Sequence, residues 1–146
     1  LNPDYELIEE AAMLHDIGVF KTHMPALQCF GNFPYICHGF LGRELLESEG
    51  LPKHALICER HVGMGIALEE IMKKALPLPL RDAVPISLEE KIICFADKFF
   101  SKNDRWLYTP KPISQIKAML AKYGAEKVKL FDEWLVLFKE RNHKSV

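Results

Sequence analysis

Apolar residues along this chain recur at three- and four-residue intervals, the spacing that lines one face of a helix, and no segment alternates convincingly as a half-buried strand would. The pattern predicts a first helix over residues 3–15, with Ile8, Ala11, Ala12 and His15 along one face and Gly18 marking its end. Residues 21–34, holding two prolines, a glycine and an asparagine, read as an irregular loop laid over something. A second helix is expected over 36–49, with His38, Leu41 and Leu45 in one line and Gly50 as the stop. Pro52 opens a third, over 52–61, on which His54, Ile57, Cys58 and His61 share a side. A short helix over 67–75 gives way to Leu76-Pro77-Leu78-Pro79, where the prolines bar continuation. Ser87-Leu88-Glu89-Glu90 reads as a capping box, the serine oxygen taking a free amide while Glu90 reaches back, and it opens the helix that carries Asp97. Two more helices follow over 112–122 and 125–140, separated by Gly124, the last amphipathic through Val128, Phe131, Leu135 and Phe138. Without repeats or a linker, the expectation is a single all-α domain spanning 1–146.

Composition narrows the function. At 146 residues, 49% hydrophobic and 27% charged, the chain has the make-up of one ordinary globular domain. The formal net charge is −1 with no block of like charge, which disfavours a nucleic-acid groove because phosphate binding needs a basic face. Apolar runs such as Ile92-Ile93-Cys94-Phe95-Ala96 fall far short of the roughly 20 residues that cross a bilayer, so no membrane partner is expected. Cys29, Cys37, Cys58 and Cys94 show no C-x-x-C spacing and sit in apolar surroundings, as reduced packing thiols of a cytoplasmic protein would. The chain opens on Leu1 rather than methionine, so residues are expected before it.

The unusual feature is where the histidines and aspartates fall. His15 and Asp16 extend the apolar face of the first helix, His38 leads an apolar line, His61 ends one, and Asp97 lies among Phe95, Ala96, Phe99 and Phe100. Lys98 is expected to point away from Asp97, since adjacent helical residues do not face each other. A buried carboxylate needs a cation. Five groups suited to a divalent metal thus arrive at the ends or buried edges of four helices, as in bundles that build metal sites from inward side chains. Imidazole with carboxylate suits iron, manganese, zinc, cobalt or nickel, with magnesium also admissible. The ordinary alternative is a set of hydrogen-bonded core histidines. His23 could touch substrate from the loop, His54 reads as a surface or helix-start residue, and His143 as a solvated one.

Leu14-His15-Asp16-Ile17-Gly18 resembles the H-D-I-G signature of the HD-domain metal-dependent phosphohydrolases. His38-Gly39-x-x-Gly42, Glu49-Gly50-Leu51-Pro52, Glu59-Arg60-His61-Val62-Gly63-Met64-Gly65-Ile66, Leu88-Glu89-Glu90-Lys91-Ile92 and Ala96-Asp97-Lys98 follow in the order that family shows. The chain is similar to a branch of small stand-alone bacterial and archaeal members whose substrates are largely unassigned. The resemblance implies that His15, Asp16 and Asp97 are metal ligands, with Asp16 bridging two metals, and that His38 and His61 hold a second one. Two departures stand out. The family pattern begins with a histidine on the helix before the H-D pair, and none lies in residues 1–14; either it belongs to a preceding segment or the site lacks a ligand. Relatives with H-D-I-G-K carry a lysine directly after the glycine, where this chain has Val19 and then Lys21, which either replaces it at the phosphate or is a solvated loop residue.

The implied activity is hydrolysis of a phosphate ester on a nucleotide or other small phosphorylated metabolite. Asp16 would orient the water, with Lys21, Arg60 and the backbone near Gly63 and Gly65 as candidates for the phosphate. For Arg60 the competing reading is a pairing with Glu59 or another surface acid. A non-catalytic metal-binding regulatory module and a di-iron oxygenase are the alternatives, and oligomeric state is left open.

Overall fold

The computed structural model describes residues 1–142, which leaves His143 outside the described residues. Its elements fall into two compact units, Leu1–Cys94 and Phe95–Val146. Helices dominate both. In order they are α1 (Tyr5–Leu14), α2 (His38–Ser48), α3 (Pro52–Arg60), α4 (Leu68–Lys73), α5 (Leu88–Asp97), α6 (Ile113–Ala121) and α7 (Ala125–Asn142). Among the described residues no helix is long and apolar enough to cross a membrane.

α1 starts two residues later than its apolar pattern suggests because Asp4 caps it: the Asp4 carboxylate accepts the Leu7 amide at 3.1 Å. Glu89 in turn accepts the Asp4 amide at 2.9 Å, tying the start of α1 to α5. The expected irregular loop over 21–34 instead holds a minimal hairpin, β1 (His23–Met24) antiparallel to β2 (Cys29–Phe30), closed by a 3₁₀ turn at Pro25–Leu27. Too short to show any alternation, these strands leave no periodic trace in the sequence. Gln28 takes the left-handed conformation that completes the turn, with φ 56°. Another 3₁₀ turn, Tyr35–Cys37, precedes α2, so the α-helix proper begins at His38.

The core of the first unit comprises Ala11, Ile57 and Ile93 packed by Leu7 and Ile8, and Leu46, Ala55 and Cys58 packed by Leu14, Ile17 and Leu51. Glycines bring the backbones of this region together. A Cβ on Gly18 would fall on the carbonyl of His38 and on the amide of Gly42, and a Cβ on Gly42 would fall on Cys58 Sγ. The H-D-I-G turn and α2 therefore meet main chain to main chain, and the Cys58 side chain of α3 lies against Gly42, a closeness only glycine permits.

Buried charge is handled by networks. Glu59, 4% exposed, receives Arg43 Nη1 at 2.5 Å and Arg81 Nη2 at 2.6 Å. Arg60 pairs with Glu90 at 2.9 Å, so its acid partner is a buried residue on α5 and not its neighbour Glu59. The Ser87 cap forms half as expected. Ser87 Oγ accepts the Glu90 amide at 3.2 Å, but the Glu90 carboxylate, already held by Arg60, takes the amide of Ile86 at 2.6 Å. All four cysteines are free thiols, three of them buried.

In the second unit Phe95 stacks against Phe99, Phe131 and Phe138, over a core that includes Ile116, Leu120 and Trp134. Lys111 is buried and gives its ammonium to the carbonyls of Phe100 at 2.7 Å and Lys98 at 3.3 Å; burial lowers its pKa. Lys98 does not point away from Asp97. Its Nζ lies 2.7 Å from Asp97 Oδ2, because Asp97 is the last residue of α5 and the chain then tightens into i to i−3 turns, where the helical rule separating neighbours lapses.

Candidate metal centre

Three of the predicted ligands stand at the ends of helical turns. His15 is the C-cap of α1, His61 the C-cap of α3, and His38 closes the 3₁₀ turn and opens α2. From those positions each ring folds back on its own turn. His15 Nδ1 donates to Ala12 O at 2.8 Å, His38 Nδ1 to Tyr35 O at 2.6 Å, and His61 Nδ1 to Cys58 O at 2.6 Å. A carbonyl can only accept, so every Nδ1 carries the proton and every neutral ring presents a bare Nε2.

The three Nε2 atoms converge on one carboxylate. His15 Nε2 lies 3.2 Å from Asp16 Oδ2, while His38 and His61 Nε2 each lie 3.5 Å from Asp16 Oδ1. The donor atoms of His15, Asp16 and His61 all fall within 4.8 Å of one another. His38 and His61 approach closer still, Nε2 to Nε2 at 3.2 Å. Two lone pairs at that separation repel unless a cation or a shared proton lies between them. Burial by itself would raise the Asp16 carboxyl, but His15 and His61 in their protonated form donate to it and their charge outweighs burial, holding it well below the usual carboxylate range. The group is thus an ionised carboxylate ringed by imidazoles with fixed Nδ1–H tautomers, and this donor set fits a divalent transition metal.

Asp97 lies in the second unit, with Lys98 Nζ 2.7 Å from its carboxylate. Lys21 ends the 3₁₀ turn Ile17–Lys21 that follows Asp16 directly, and is half-buried. Arg60 is engaged by Glu90. Gly63 and Gly65 both adopt positive φ, 61° and 87°, but the Gly65 amide is taken by Val62 O at 3.0 Å. His23 is exposed on β1, and His54 pairs with Glu10 at 2.7 Å.

The residues missed by pattern reading are those that hold the rings. Tyr35 supplies the carbonyl under His38 and stacks on its imidazole, centroids 4.6 Å apart. Cys58 supplies the carbonyl under His61 and gives its thiol to His15 O at 2.9 Å. Burial first, then the charges of Asp16 and Glu59, push that thiol up to about 12. A histidine at the end of a helical turn was the available signal for a carbonyl three residues back; nothing in the sequence marks the thiol.

An uncharacterized protein of Methanocaldococcus jannaschii is 44% identical over 103 residues, covering 70% of this chain and 53% of that protein. The tRNA (cytidine(56)-2'-O)-methyltransferase of Picrophilus torridus is 38% identical over 101 residues, 68% of this chain but 26% of the enzyme. Its counterpart in Thermoplasma volcanium is 35% identical over 105 residues, 71% of this chain and 27% of the enzyme. The chain therefore spans about half the length of the first relative and about a quarter of the other two. No solved structure matches it significantly. The HD domain family matches residues 1–101, a stretch that contains the H-D pair, His38, His61 and Asp97, and the chain belongs to that family.

Proposed function

We propose that the protein is a metal-dependent phosphohydrolase acting on a nucleotide or another small phosphorylated metabolite. The observation that carries the reading is the triple clamp: three histidines, each locked by a carbonyl three residues back, aim Nε2 at the ionised Asp16. His15, Asp16, His38 and His61 would hold one or two divalent metals, with Asp97 joining them by family resemblance. When bound, such a metal supplies a hydroxide source near neutral pH and charge stabilisation for the attacking and leaving oxygens. The chain's own contribution is positioning. The fixed tautomers cost no reorganisation when the site is used, and the Asp16 carboxylate, ionised across the working range, orients the attacking water and accepts its hydrogen bond. Lys21, at the end of the turn that Asp16 opens, is the cation we assign to the substrate phosphate. Arg60 is committed to Glu90 and serves that role less well. With a net charge of −1 the chain offers little attraction to a polyanion, which supports a small substrate.

The test is phosphate release from a panel of nucleotides and small phosphomonoesters with iron, manganese, zinc, cobalt, nickel or magnesium added in turn. Metal-dependent release that disappears in His15→Ala, Asp16→Ala and Asp97→Ala supports the reading. Silence across the panel, with metal bound tightly, favours a second reading: a non-catalytic metal-binding module. The two methyltransferase relatives favour it, since this kind of sequence occupies only about a quarter of each.

A further inference from the structure

Beyond the ligands themselves, the structure assigns a role to Cys58: we infer that its side chain is a positioning residue that sets the peptide unit joining His15 to Asp16. The inference rests on the reading of the cluster as a metal site, and three observations carry it. Cys58 is wholly buried, 0% exposed, in a core that also holds Leu46 and Ala55. Its Sγ donates to the His15 carbonyl at 2.9 Å. That carbonyl stands at the C-terminal end of α1, where His15 is the cap.

The carbonyl belongs to the peptide plane whose other half is the Asp16 amide. Holding it fixes the direction in which both His15 and Asp16 leave the backbone. Cys58 reaches it from α3, and its own carbonyl clamps His61 at 2.6 Å. One residue thus spaces donors from two elements, His15 with Asp16 on one side and His61 on the other. The two contacts differ in kind. The His61 clamp is main chain and survives any side-chain substitution, whereas the His15 contact is lost with the thiol. Gly42 leaves room for the sulfur, because a Cβ there would fall on Sγ.

The test compares Cys58→Ser, which keeps a donor, with Cys58→Ala and Cys58→Val, which lack one; alanine shares serine's loss of sulfur volume, and valine fills the space. Affinity for zinc and for manganese is measured by chelator competition on the folded proteins. Loss of ordering by a group behind the ligands typically weakens metal binding about 10–100-fold. The expected result is a fall of at least about 10-fold in the alanine and valine proteins, with serine within about 3-fold of the parent. Equal affinities in all four proteins, or an equal fall in serine and alanine, overturn the proposal.

Imidazole nitrogen NMR on the metal-free proteins gives a second readout. The His15 signals should move in the alanine and valine proteins and hold in serine, while those of His61 hold in all. If the parent protein binds neither metal, the metal reading fails and this spectrum still decides on Cys58: an unmoved His15, or His15 and His61 moving together, overturns the assignment. Should alanine fail to fold, valine against serine makes the same comparison.

Discussion

His38 and His61 face each other Nε2 to Nε2 at 3.2 Å while each gives its Nδ1 proton to a carbonyl of its own turn. With both rings neutral the facing nitrogens are both acceptors, and a cation or a shared proton between them relieves their repulsion. A metal that binds the folded chain and not the unfolded one should therefore raise the melting temperature. At about 100 times the dissociation constant the gain is about 2.7 kcal/mol, or roughly 5–10 °C for a chain of this size. Calorimetry with and without chelator measures it, and His61→Ala should abolish the shift.

Gly18 and Gly42 are expected to tolerate no side chain. Alanine at Gly18 would occupy the place of the His38 carbonyl, forcing the H-D-I-G turn away from α2. Gly18→Ala should cost about 3 kcal/mol or more in urea denaturation, and Gly50→Ala, with nothing within 4 Å of its Cβ but φ at 74°, appreciably less.

Glu59 is the anionic centre of a network with Arg43 and Arg81. Glu59→Leu leaves Arg81 without its carboxylate and Arg43 with Glu47 alone, and should destabilise the fold by about 3 kcal/mol. Arg81→Met should cost less than Arg43→Met, since Arg81 is 42% exposed against 21% and water can replace part of what is lost. Denaturant midpoints of the three variants give the order.

A pH effect is expected at the start of α1. Glu89 has its pKa lowered, first by accepting the Asp4 amide. A carboxyl depressed in the folded state contributes stability that is present above its ordinary 4.5 and is lost as pH falls through the lower folded value. Exchange of the Asp4 amide should quicken across that acid window relative to amides in mid-helix, and Glu89→Gln should remove the pH dependence while leaving α1 folded.

The helices were legible because each buries a continuous apolar stripe, as α5 does through Ile93 and Cys94 and α7 through Phe131 and Trp134. The four residues that meet at the centre were legible too, because polar groups in line with apolar ones demand an explanation. What escaped depends on the ends of elements. The β1–β2 hairpin has two residues per strand, too few for a period. Lys98 turned to Asp97 only because the helix stops between them. The Glu90 carboxylate took the amide of Ile86 and not that of Ser87 because Arg60, 30 residues earlier in sequence, had already fixed its direction. The carbonyl clamps under the three histidines are side-chain rotamer choices at caps, which residue spacing does not encode.

The direct contact of the H-D-I-G turn with α2, made through Gly18 and Gly42, has an evolutionary consequence. Because the span between ligand-bearing segments is set by touching peptide planes, it is indifferent to which side chains project from them. A lineage can exchange one donor for another, and so retune which element it prefers and what it does with it, without reshaping the scaffold that presents them.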